Sequence, residues 1–176
     1  MKRLISVTLG IALCASGASA QSSDSLLAPG RAGRVTIGMI VEDVYAAFGR
    51  ENVKLIDLYS EGMFTPAVQI FVAPDRAVPI VVANIDQVCG RYRITGISAL
   101  SPRFRTVDGL GVGSTVGEIR KRQPTAKPSR EEGTWLIVEN LQMTFGLPPA
   151  SFADTTHVVS VWTWAPLPDS MRQCPR

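Results

Sequence analysis

Apolar residues recur at helical spacing in two short segments of the chain. The second segment opens with Thr115 and Glu118 at the spacing of a capping box, and Pro124 stops it. Gly49 follows the first segment as a natural helix-ending residue. The first segment places five apolar residues on one helix face: Ile40, Val41, Val44, Ala47 and Phe48. We therefore predict two short helices.

Segments rich in β-branched and aromatic residues follow each helix and predict strands. After the first helix they are residues 53–59, 66–72, 78–83 and 91–98, and after the second they are residues 134–138, 141–145 and 158–164. A helix followed by an antiparallel meander, twice, predicts an α+β fold. We expect two tandem helix-plus-meander modules, residues 34–106 and 107–176, that form one compact unit. Residues 21–33 are rich in Ser, Ala, Gly and Pro and predict a flexible leader.

A local pattern supports the division into two modules. Residues 37–44 and residues 112–119 both read apolar, Gly, any, any, Val, any, acid, apolar. This pattern resembles the module of small bacterial envelope proteins, such as the small lipoprotein of the outer-membrane β-barrel assembly machine and the tandem β-lactamase inhibitory protein. The resemblance is carried by Gly38–Val44 and Gly113–Ile119. It implies a fold and no catalytic residues.

The N-terminus has the three parts of a secretory signal peptide. Lys2 and Arg3 are followed by a short apolar run and then by Ala18-Ser19-Ala20, which has the small residues that a signal-peptidase cleavage site requires. The apolar run is too short to span about 30 Å of hydrocarbon. Leu13 before Cys14 disfavours a lipoprotein signal. We expect residues 1–20 to be removed after Ala20, giving a soluble periplasmic or secreted protein with no transmembrane segment.

Removal of the signal changes both charge and cysteine content. The formal net charge of +3 falls by two with Lys2 and Arg3, which leaves no basic excess for nucleic acid. The mature chain keeps Cys89 and Cys174, and an oxidising compartment favours a disulfide that tethers the tail. A free buried thiol and a redox pair are the alternatives. Without a C-x-x-C spacing, and with one histidine, metal and redox sites are disfavoured.

Motifs for catalysis or cofactor binding are incomplete. The glycine-rich run 109–115 looks like a phosphate loop, but Gly113 stands where a Walker lysine is required, so we interpret it as a tight linker. His157 is the only histidine of the sequence, and therefore the only imidazole available as a general base for a nucleophilic serine. Ser98 lacks the second glycine of a nucleophile elbow. We assign no catalytic, metal or cofactor residue and expect no cofactor.

Two groups of side chains are candidates for contact with a partner. Two pairs of arginines with a spacing of two form either a basic stripe or a solvated strand face: Arg91, Arg93, Arg103 and Arg105. Two tryptophans share one strand face and are either an exposed contact or core anchors: Trp162 and Trp164.

These observations favour a non-enzymatic binding or inhibitory protein that contacts another envelope or secreted protein. A structural or assembly factor at the cell envelope is the first alternative. A hydrolase with an unrecognised carboxylate site is the second, and it requires a concave pocket in which two acidic residues meet.

Overall fold

The computed structural model describes residues 22–60, 62–72, 76–131, 133–149 and 151–172. The predicted signal peptide and Cys174 lie outside this part of the chain. Among the described residues, no helix is both long enough and apolar enough to cross a membrane.

The described residues form two antiparallel sheets. The smaller has three strands in sequence order: β1 (Leu27–Ala28), β2 (Arg31–Ala32) and β3 (Val35–Thr36). The larger has eight strands: β4 (Val53–Ser60), β5 (Met63–Ile70), β6 (Val81–Val88), β7 (Arg91–Ala99), β8 (Lys127–Ser129), β9 (Trp135–Val138), β10 (Met143–Gly146) and β11 (Ser160–Thr163). Its spatial order is β4-β5-β6-β7-β11-β10-β9-β8, so β4 and β8 are the edge strands.

The helices are short. They are α1 (Val41–Phe48), α2 (Val116–Arg122) and α3 (Asp169–Arg172), with 3₁₀ turns at Arg50–Asn52 and Glu139–Leu141. The predicted capping box of α2 is confirmed, because the side chains of Thr115 and Glu118 each accept a hydrogen bond from the other residue's backbone N–H. Gly49 ends α1 at φ 83°, a conformation that glycine adopts without strain.

The predicted α+β fold of two tandem modules is wrong. The described part of the chain is mostly β, and the longest helix in it, α1, has eight residues. The strands that follow α1 and α2 do not form separate units, because β7 pairs with β11 and joins all eight strands into one sheet. Hydrophobic alternation predicts individual strands well, but it does not report pairing between strands that are distant in sequence.

One face of the large sheet holds the core. The helices and the small sheet cover this face through fully buried residues, among them Val35, Val44 and Ile119, which join the core cluster. Thr163 ties the two sheets together: its Oγ1 accepts from Gly30 N–H at 2.9 Å and donates to the carbonyl oxygen of Ala28 at 3.0 Å. We call this side of the sheet the core face and the other side the outer face.

Candidate functional site

Large apolar side chains stand exposed where the core face extends beyond α1. By strand alternation these side chains share the face of Val68 and Ile94, which are fully buried. They are Leu55 at 54% exposure, Tyr59 at 68%, Phe64 at 72% and Tyr92 at 51%. We call these four residues the aromatic face. A group of exposed large apolar side chains is typical of an interaction surface.

Tyr59 and Phe64 form the tip of this surface. They lie directly opposite each other on β4 and β5, and their ring centroids are 5.1 Å apart at an interplanar angle of 55°. This tilted arrangement is one that aromatic pairs prefer. Both rings are more than two-thirds exposed, so the pair presents two aromatic rings to solvent.

A groove of about 490 Å³ lies between α1 and the aromatic face. It is lined by residues of α1 and of β4–β7, which include Tyr45, Leu55 and Tyr92. The Arg50 guanidinium lies 4.4 Å from the centroid of the Tyr45 ring, a cation–π contact that fixes one wall. The other charged lining residues are Glu42 and Asp57, which are both exposed. The groove therefore combines an apolar floor with an acidic rim.

The tryptophans proposed from sequence lie away from this groove. Val161 and Thr163 are fully buried on the core face, so Trp162 lies on the outer face. Its indole lies over Gly96 of the neighbouring strand, where a methyl group would overlap the ring. Both Trp162 and Trp164 are half-buried. They are neither full core anchors nor an exposed patch, and their role in partner contact stays a prediction.

The four proposed arginines are separated by the length of β7. Arg91 and Arg93 lie at its start, where Arg93 Nη1 donates to the carbonyl oxygen of Gly38 at 2.9 Å. Arg103 and Arg105 follow its end, and Arg105 Nη1 donates to Ser114 Oγ at 3.2 Å. The structure does not bring the two pairs together.

The glycine-rich loop is closed by protein contacts. Gly111 N–H donates to Ser114 Oγ at 3.1 Å, and Gly113 N–H donates to the carbonyl oxygen of Val158 at 2.8 Å. His157 Nδ1 lies 2.9 Å from the carbonyl oxygen of Gly113. These amides are used within the fold, and the interpretation of the run as a tight linker stays a prediction. Among the described residues, no cluster of His, Cys, Asp and Glu has metal-site geometry.

Sequence reasoning missed the aromatic face. In β4 the residues at positions 53, 55, 57 and 59 lie on one face of the strand. Sequence alternation alone assigns the apolar residues of such a face to a core. In the structure Leu55 and Tyr59 are exposed, although by alternation they share a face with Val68, which is fully buried.

Comparison with known proteins informs the fold only. No protein-family model matches the chain, and no curated protein matches it by sequence. The structure is similar to that of the uncharacterized protein yfeY from Escherichia coli, with a TM-score of 0.53 and 11% sequence identity. The match covers 74% of this chain and 92% of yfeY. At this identity the similarity supports a shared architecture.

Proposed function

We propose that this chain is an exported, non-enzymatic binding or inhibitory protein that contacts another envelope or secreted protein through its aromatic face. The observation that carries the proposal is the exposure of Tyr59 and Phe64 as a contacting pair beside a groove. Three aromatic rings and a leucine in contact with water are unfavourable unless a partner covers them for part of the protein's life.

The composition of the surface favours a protein partner. The cores of protein interfaces are enriched in tyrosine, phenylalanine and arginine, and a few such residues dominate the binding energy. Here the rings lie on the strands, while Glu42 and Arg50 of the groove lining come from α1 and the turn that follows it and form a charged rim. This order of apolar centre and polar rim is typical of specific interfaces.

A hydrolase is the second candidate, and one observation favours it. Glu42 and Asp57 line the same groove, and carboxylate-based hydrolysis requires a pair of acidic residues in one groove. Substitution of Glu42→Gln together with Asp57→Asn distinguishes the candidates. It abolishes a hydrolytic activity of the groove, whereas capture of a protein partner persists, although weakened, because the exposed rings of Tyr59 and Phe64 are unchanged.

The test is affinity capture from a periplasmic and membrane extract of the producing bacterium, with the mature chain as bait. We expect a specific protein that Tyr59→Ser/Phe64→Ser bait fails to retain. Val107→Ser is the matched control, because Val107 is 87% exposed and lies on a loop outside the groove. Equal capture by wild-type and double-variant bait would contradict the proposal. The Tyr59→Ser/Phe64→Ser variant is expected to fold, since both rings are already exposed in the wild-type protein.

A further inference from the structure

We propose that the free edge of β4 receives an extended strand of the partner, which adds to the eight-stranded sheet beside the aromatic face. The inference rests on the proposed function and specifies how that partner is recognised. Such strand addition uses backbone hydrogen bonds for affinity and side-chain contacts for specificity.

The free edge of β4 is long and continuous. β4 is eight residues long, contains no proline and pairs with β5 in an unbroken register from Val53 to Ser60. Among the described strands it has no second neighbour, so its outer side carries a row of backbone donors and acceptors. Natural proteins usually protect such edges, because an unpaired edge is a template for another strand.

The opposite edge of the same sheet shows that protection. β8 has three residues and contains Pro128, which cannot donate a backbone hydrogen bond. It also carries Lys127, whose Nζ lies 3.0 Å from Glu139 Oε1. Both edges carry charged side chains, but one edge is short and interrupted by a proline, while the other is long and continuous. This contrast points to β4 as the edge left available for pairing.

The side chains of β4 define the chemistry of the added strand. Residues directly opposite each other in a sheet share a face, so three alternate positions of the added strand lie beside Leu55, Asp57 and Tyr59. Leu55 and Tyr59 favour apolar partners. Asp57 is exposed between them, and Glu42 lies across the groove. Arg50, the cation of the groove lining, lies over the Tyr45 ring. The site therefore favours apolar, basic and apolar side chains at alternate positions.

A foreign strand satisfies this pattern better than a second copy of β4 does. In two-fold antiparallel pairing, residues of the same face stand opposite each other. The only cation of β4 is Lys54, which lies on the face opposite to Asp57. Pairing with another β4 therefore never places Lys54 opposite Asp57.

The test uses a synthetic peptide, Thr-Val-Thr-Lys-Thr-Val-Thr, and the mature protein, with binding followed through the backbone amide signals of residues 53–60. We expect saturable shifts and increased protection from hydrogen exchange along β4. The same peptide methylated on its backbone nitrogens keeps the side chains but lacks the donors, and we expect it to bind at least tenfold more weakly. Asp57→Lys is expected to weaken the lysine peptide at least tenfold and to favour a peptide with central glutamate.

Three outcomes would overturn the inference. Absence of saturable binding by the lysine peptide excludes strand addition of the stated chemistry. Equal binding of the methylated peptide would show that the peptide is recognised through its side chains alone and not by strand addition. The proposed function would not be affected, because the capture experiment tests it separately. Protection of the β4 amides that rises with protein concentration, without peptide, shows that a second copy occupies the edge.

Discussion

The indole of Trp162 lies over the backbone of Gly96, one strand away on the outer face of the large sheet. Trp162 stands directly opposite Ser98, so its ring extends diagonally along β7 to reach the glycine. Trp135 and Gly146, a directly opposite pair on β9 and β10, repeat the arrangement. Aromatic side chains placed over strand glycines cover backbone that would otherwise be open to water. This packing explains why Trp162 is half-buried on the outer face.

Substitution of Gly96→Ala is expected to destabilise the protein by about 1–3 kcal/mol, because a Cβ at this position overlaps the indole and overpacks the face. Chemical denaturation measures the change. In a Trp162→Ala background the same substitution is expected to cost less, since the overlapping ring is gone. Equal costs in both backgrounds would show that the two residues are not coupled. Gly90→Ala is a poor control because φ there is 75°, whereas Gly96 has ordinary backbone angles.

Substitution of Thr163→Val is expected to destabilise the protein by about 2 kcal/mol at nearly constant side-chain volume. It removes the hydroxyl that joins Gly30 N–H and the Ala28 carbonyl to the large sheet, and it leaves the buried Gly30 N–H without this partner. Urea denaturation gives the magnitude, and hydrogen exchange at Gly30 locates the effect. Ser160→Ala on the outer face of the same strand serves as control. Unchanged exchange at Gly30 would contradict a link between the two sheets through Thr163.

Local elements of this fold follow from local sequence. The spacing of Thr115 and Glu118 predicts the start of α2, and Gly49 predicts the end of α1, because both depend on chemistry within one turn. Strands β4 and β7 are likewise found close to their predicted positions, since alternation with period two is visible over eight or nine residues.

The assembly and the candidate site depend on relationships that local pattern does not contain. Val161 pairs with Ala99 and so joins β11 to β7, two strands that are distant in sequence. Because of this pairing the strands form one sheet and not the two modules that the local pattern predicts. Tyr59 follows the same alternation as Val53, yet it is exposed. Which strand forms the edge of the sheet, and which side chains other elements cover, are properties of the assembled fold.

Glu118 is expected to stabilise the protein in a pH-dependent manner. The hydrogen bond from the Thr115 backbone N–H is the main cause that lowers the pKa of Glu118 below its ordinary value. Desolvation opposes it as the next-largest effect, and the Thr115 hydroxyl, Arg122 and Arg105 lower the pKa further. A lowered folded-state pKa contributes stability that is fully present above the unfolded pKa and is lost as pH falls through the folded value. Urea denaturation of wild type and Glu118→Gln should therefore show a gap at pH 7 that narrows below about pH 4.5. A gap of constant size from pH 7 to pH 3 would show that the carboxylate charge is not responsible.

Cys89 is expected to form a disulfide with Cys174 in the exported protein. Cys89 occupies a two-residue turn with Gly90 between β6 and β7, and its Sγ lies 3.6 Å from the carbonyl oxygen of Met171. Cys174 lies outside the described residues, but it follows Met171 by three positions in the sequence, which is within reach of a short segment. The bridge closes a long loop, for which chain-entropy models give about 4 kcal/mol of stabilisation.

Mass spectrometry of the unreduced, denatured mature protein is expected to recover a linked peptide pair and to detect no reactive thiol. Reduction should lower the denaturation midpoint to that of a Cys89→Ser/Cys174→Ser variant, which is the matched control because it removes the bridge without a reductant. Two reactive thiols in protein isolated from the oxidising compartment would exclude the bridge. A stability that is insensitive to reduction, with the linked peptide present, would show instead that the C-terminal tail does not contribute to the cooperative fold. In that case local unfolding of α3 would leave the backbone amides of Gly38 and Arg93, the residues that lie next to Met171 of α3, protected from hydrogen exchange.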